Sequence, residues 1–130
     1  MQNAECTLHN EITKDTNPAV DMSFDFAVRV VKLYKYLVGE HKEYIMSKQL
    51  LRCGTSIGAS ISEAQRGQSR ADFAAKMNIA LKEANETEYW LKLLYKTEYL
   101  SDNQFTSLYA DIQELLKLLI AICRTANNTK

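Results

Sequence analysis

The chain contains one proline, Pro18, and only four glycines. That scarcity bounds how often the backbone turns sharply. A β-sandwich or barrel needs a turn signal every 8–12 residues or so, and this chain cannot supply them. Long uninterrupted elements are what remains. The hydrophobic share of 46% and charged share of 25% match an ordinary globular domain, and 130 residues make one domain.

The apolar spacing identifies those elements as helices. Behind Ser23, placed as an N-cap, Phe24, Ala27, Val31, Tyr34 and Val38 recur at alternating steps of three and four. A second stripe holds Phe26, Val30, Leu33 and Leu37. A helix with two apolar stripes needs two partners, the bundle core and a neighbouring subunit. Asp25 and Arg29 stand at the favourable i,i+4 spacing, and Gly39 is placed as the stop. The second helix starts between Tyr44 and Ser47 and stops at Gly67, with Met46, Leu50, Cys53, Ile57, Ile61 and Ala64 as its seam. Between its stripes runs a set of small residues from Gly54 to Ser62. Each helical glycine costs about 1 kcal/mol against alanine, so Gly54 and Gly58 predict close approach by another backbone.

Ser69 and Asp72 open the third helix, whose seam runs from Phe73 through Met77, Ala80, Ala84, Thr87 and Leu91 to Leu94 and which extends to Glu98. Ser101 and Gln104 form a capping box for the fourth, from Asp102 to about Ala126, with Phe105, Leu108, Ile112, Leu115, Leu119 and Ile122 as its seam. Short loops force sequence neighbours to run antiparallel. The fold class is all-α, an antiparallel up-and-down four-helix bundle. Residues 1–21 read as an acidic, flexible tail, 22–126 as the bundle and 127–130 as a frayed end.

The 16 basic and 16 acidic residues give a net charge of zero. The balance is uneven, with −3 on residues 1–21 and +3 on the remainder. Zero overall charge argues against a dedicated nucleic-acid binder, whereas the basic remainder keeps that class open. Cys6, Cys53 and Cys123 are odd in number and lack C-x-x-C spacing. They read as reduced thiols, Cys53 and Cys123 buried as small apolar groups. The apolar run Leu115 to Cys123 is too short to span a bilayer, and Met1 to Asp21 lacks the pattern of a signal peptide. These features place the protein in the cytoplasm, away from membranes.

The stretch Leu51-Arg52 … Ser56-Ile57 … Ser60-Ile61-Ser62-Glu63-Ala64, then Ser69-Arg70-Ala71-Asp72-Phe73, then Ile79-Ala80 and Glu86-Thr87-Glu88-Tyr89-Trp90-Leu91, resembles the bacterial S23, or 23S rRNA intervening-sequence, proteins. The resemblance runs from Asp21 to Ile122. Ser60 stands where the family usually has Asn, Ser62 where it has Ala, and Lys82-Glu83 where Gly-Ser is frequent. The resemblance implies a homopentamer around a central channel. It also implies kinship with the accessory protein of diversity-generating retroelements, which assists a reverse transcriptase and contacts nucleic acid. The family's name describes where its genes lie rather than an activity.

Arg52, Ser56, Glu63, Arg66 and Arg70 are the candidate interface or binding residues. Arg52 and Glu63 stand roughly 16 Å apart along one helix, too far to pair with each other; partners lie on another subunit or on another helix. Arg66, Arg70 and Lys76 surround the start of the third helix, where amides favour anions; the plainer reading is a solvated turn. Trp90, Tyr89, Tyr95 and Tyr99 read as base-stacking platform or, more simply, as core and interface. His9 and His41 have no companion at metal-ligand spacing, and the acidic pairs lack a Glu-x-x-His partner. No phosphate loop and no nucleophile motif is present. No catalytic residue, cofactor or metal is assigned. The reading is a non-enzymatic homo-oligomeric scaffold. The alternative is an accessory protein binding RNA or DNA, for example alongside a reverse transcriptase or rRNA.

Overall fold

The first helix begins at Asn17, whose side-chain Oδ1 accepts the Ala19 N–H at 2.8 Å. Pro18 follows at the first helical position, where its missing N–H costs nothing. In the computed structural model, which describes residues 17–128, α1 spans Pro18–His41. Ser23 is therefore no cap. It is buried inside the helix, its hydroxyl donating to the Val20 carbonyl at 3.1 Å. Residues 18–21 belong to the bundle, and the expected tail now falls almost wholly outside the described residues. The helix also runs past Gly39. Lys42 takes the left-handed position at φ 54° and returns its N–H to the Leu37 carbonyl. The terminal turn thus closes on a lysine.

The other helices are α2 (Met46–Ala64), α3 (Arg70–Lys96) and α4 (Asp102–Asn128). Of the two serine boxes read from the sequence, Ser101–Gln104 forms in full and Ser69–Asp72 in its serine half. Ser69 Oγ accepts the Asp72 N–H at 3.1 Å, while Ser101 and Gln104 exchange bonds of 2.8 and 3.1 Å. The last helix continues to Asn128, and Asn127 meets Asn78 of α3 at 2.9 Å. Residues 129–130 lie outside the described residues.

The sequence signal at the start of α2 was weak because its cap lies upstream. Glu43 is 8% exposed. Its carboxylate accepts from the backbone N–H groups of Ile45, Met46 and Ser47 at 3.2, 3.1 and 2.7 Å. The Ser47 hydroxyl donates back to the Glu43 carbonyl at 2.7 Å. Burial raises the pKa of this carboxyl, but the amides of Ser47, Met46 and Ile45 together win and hold it below the ordinary glutamate value.

Each helix packs on its sequence neighbours, and a thinner α1–α4 contact closes the four-sided bundle. The core draws on all four helices, with Leu37, Ile57, Leu91, Leu94, Ile112 and Leu119 fully buried. Each such side chain contributes about 1.5–3 kcal/mol. The α4 seam is widened by Leu116 and Cys123, and Phe105 and Ile122 are only partly covered. Of the two α1 stripes, Phe26, Val30, Leu33 and Leu37 enter the core. Arg29 does not use Asp25. It crosses to α4, meeting Asp111 at 2.6 Å and Ser107 Oγ at 2.8 Å.

The small residues of α2 let α1 come close. A Cβ on Gly54 would stand 2.9 Å from both methyls of Val30, and one on Gly58 would stand 3.3 Å from the Ser23 carbonyl oxygen. The close backbone approach expected at these glycines is made at Gly58 by α1 of the same chain, whereas at Gly54 the neighbour is the Val30 side chain.

Gly54→Ala should therefore destabilise the fold. Overpacking costs about 1–3 kcal/mol, and the gain in helix propensity of about 1 kcal/mol offsets only part of it. Urea unfolding of Gly54→Ala and of Gly54→Ala with Val30→Ala checks this; the second change should make the first harmless or favourable. Glu43 has a lowered folded pKa, so its stabilisation is full above the ordinary glutamate pKa of about 4.3 and fades as pH falls through the folded value. Glu43→Gln should cost roughly 1–3 kcal/mol at pH 7, and the gap to wild type should narrow towards pH 3. A gap that stays constant over that range would contradict the assignment.

Candidate functional site

Three of the five sequence candidates brace α2 within its own chain. Arg52 reaches Glu83 of α3 at 3.4 Å and also pairs with Glu86. Glu86 accepts the Trp90 indole N–H at 3.0 Å. Burial lowers the Arg52 pKa, but the charge of Glu86 and its hydrogen bond raise it more. Glu63 pairs instead with Lys76 at 3.3 Å. The Ser56 hydroxyl donates to the Arg52 carbonyl at 2.6 Å. Arg52 and Glu63 thus never meet, and both tie α2 to α3. With Arg52 about half exposed, each pair contributes about 1 kcal/mol at most.

Arg66 and Arg70 flank the α2–α3 turn. Both are exposed, and neither forms an ion pair among the described residues. The expected third cation, Lys76, is taken by Glu63. Ser69 occupies the Asp72 N–H, and Asp72 accepts the Gln68 N–H at 3.3 Å. A carboxylate therefore already sits at this helix start.

The aromatic candidates do not form one platform. Tyr89 lies edge-on to Trp90 at 5.1 Å, Tyr95 stacks on Phe105 at 4.2 Å and Tyr99 lies edge-on to His41 at 5.6 Å. Trp90, Tyr95 and Tyr99 pack against the core. The His41 ring nitrogen meets the Tyr36 hydroxyl at 3.1 Å. His9 and Cys6 lie outside the described residues. Cys53 and Cys123 are buried. Burial pushes the Cys53 thiol up to about 11 and raises Cys123 also, the opposite of what a reactive thiolate requires. Among the described residues, no group of three His, Cys, Asp or Glu side chains is placed to hold a metal. No helix there is long and apolar enough to cross a membrane.

What stands open is the α1 stripe that begins at Phe24, the one that does not enter the core. Phe24 is 66% exposed, Val31 37% and Val28 39%. Ala27, Tyr34 and Val38 continue the stripe and are half-buried. Beside it, the outward positions of α2 are small, namely Thr55, Ala59 and Ser62.

Sequence reasoning missed four features. Glu43 escaped because an upstream carboxylate paired with Ser47 is a rarer cap than serine or aspartate. The Arg29–Asp111 pair, and Glu88 receiving Tyr109 at 3.1 Å and Gln113 at 2.5 Å, join different helices and leave no local spacing to read. Ile45, 77% exposed in the α1–α2 connection, carried no periodic signal.

The profile of the 23S rRNA-intervening sequence protein family matches residues 15–121. Among solved structures, the chain is similar to a protein of unknown function from the S23 ribosomal protein family of Bacteroides thetaiotaomicron VPI-5482. Identity is 62% and the TM-score 0.80, with 81% of this chain and 97% of that one covered. No curated protein matches the chain. With four helices packed as that likeness requires and a profile spanning most of its length, the chain belongs to the 23S rRNA-intervening sequence protein family.

Proposed function

We propose that this protein is a non-enzymatic, cytoplasmic homo-oligomeric scaffold that acts through binding, five copies forming the assembly. One observation carries the reading: α1 exposes Phe24, Val28 and Val31 on one face, continued by the half-buried Ala27, Tyr34 and Val38. Isolated exposed apolar residues are ordinary, but a stripe along a whole helix beside small residues is an association surface. Burying apolar area yields about 25 cal/mol per Å², which a helix-long stripe accumulates and half-exposed ion pairs do not. The number five comes from the family resemblance.

Wild-type protein should sediment at a multiple of 14.9 kDa, five-fold for the pentamer. Val31→Glu, on an exposed position, should yield folded monomer with unchanged helicity. A wild type that remains at 14.9 kDa at micromolar concentration would sink the assembly.

The second reading is nucleic-acid binding. Arg66 and Arg70, exposed and without ion-pair partners among the described residues, favour it; the zero net charge counts against it. Titration with RNA and with DNA at two salt concentrations separates the cases. Phosphate contacts must weaken as salt rises, and Arg66→Gln with Arg70→Gln should flatten that slope. Binding that is absent or indifferent to salt retires this reading.

A further inference from the structure

Between the start of α3 and the end of α4 lies a surface cavity of about 680 Å³. Its walls are apolar, supplied by Phe73 from α3 and by Ala121, Ile122 and Ala126 from α4. Gly67, Gln68 and Ser69 of the α2–α3 turn, Arg70 at the start of α3 and Thr125 of α4 complete the lining. The volume lies in the range of small-molecule sites, as does the pattern of apolar walls with few polar groups.

The polar groups narrow the class of ligand. Arg70 is exposed and has no ion-pair partner among the described residues. Arg66, next to the turn, is likewise unpaired. The nearby acid, Asp72, is turned to the Gln68 N–H. The helix start itself is not the attraction, since Ser69 and Asp72 already occupy its groups. What remains is an apolar hollow with a free guanidinium on one side. A guanidinium matches a carboxylate as a planar two-pronged donor.

We propose that this cavity binds a free single-chain fatty carboxylate, the hydrocarbon lying against Phe73, Ala121, Ile122 and Ala126 and the carboxylate held by Arg70. The site is independent of the α1 stripe. That stripe belongs to the α1–α2 side of the bundle, whereas the cavity is built from the α2–α3 turn, α3 and α4. The binding involves no covalent step.

Calorimetric titration of the full chain with octanoate and decanoate below their micellar concentrations tests it. One saturable site is expected, tightening by up to about fourfold per added CH₂. Arg70→Gln should weaken decanoate about tenfold, the loss of one charge-assisted hydrogen bond, and leave decanol unchanged. Ala121→Trp, on an exposed position, should fill the hollow and abolish binding of both. Anionic phospholipid vesicles should not retain the protein. The proposal is overturned if decanoate does not saturate, as when a second copy covers the cavity. It is equally overturned if Arg70→Gln binds decanoate like wild type, if Ala121→Trp leaves binding intact, or if only vesicles bind.

Discussion

How near α1 lies to α2 decides what the rest of the molecule presents to solvent. α1 has two apolar stripes of similar quality, and periodicity does not rank them. The glycines of α2 do. Val30 seats where a side chain on Gly54 would stand, and the Ser23 carbonyl comes within 3.3 Å of where Gly58 would carry one. With α1 held at that distance, Phe26, Val30, Leu33 and Leu37 point inward. Phe24 and Val31 are left outside by the same rotation. The buried core and the open face are thus two consequences of one contact.

Charge plays the smaller part. The residues that drew attention as charged candidates, Arg52 and Glu63, are neutralised by Glu86, Glu83 and Lys76 across the α2–α3 seam. Arg29 does the same between α1 and α4. These pairs set how neighbouring helices align, at about 1 kcal/mol each or less. Burial of the apolar seams supplies most of the stability. Arg66 and Arg70, which flank one turn, form no such pair among the described residues.

The sequence was legible wherever the cause is local. Ser69 with Asp72 and Ser101 with Gln104 act within one turn of chain, and both pairs form as spaced. The seams of α2 and α3 were equally plain, because a period of 3.6 is a property of one helix. It was illegible where two local signals compete. Ser23 and Asn17 are both good caps, and Pro18 immediately after Asn17 settles the start. Gly39 and Lys42 compete in the same way at the other end. It was illegible again where the partner is distant in sequence. Arg29 has Asp25 four residues away but is matched by Asp111, which only the folded arrangement brings near. Of the candidate site, the apolar stripe was readable as one of two on α1, while its exposure depended on packing.

The geometry of the open face also constrains any assembly built on it. Like faces that meet across a two-fold axis make a closed dimer. A ring of five cannot be made from such contacts alone, because each copy must offer one surface to the copy before it and a different one to the copy after it. If the α1–α2 face is one of those surfaces, the other lies elsewhere on the bundle. The opposite side, built from α3 and α4, carries an apolar groove between Tyr89, Leu93, Phe105 and Tyr109. That groove is of the same character as the stripe: apolar and accessible. A dimer would need only the stripe, and would leave the groove open. A five-fold ring that used this groove as its second surface would be weakened by a substitution at Tyr89 as well as by one at Val31, whereas a dimer closed through the stripe would be left intact by the first.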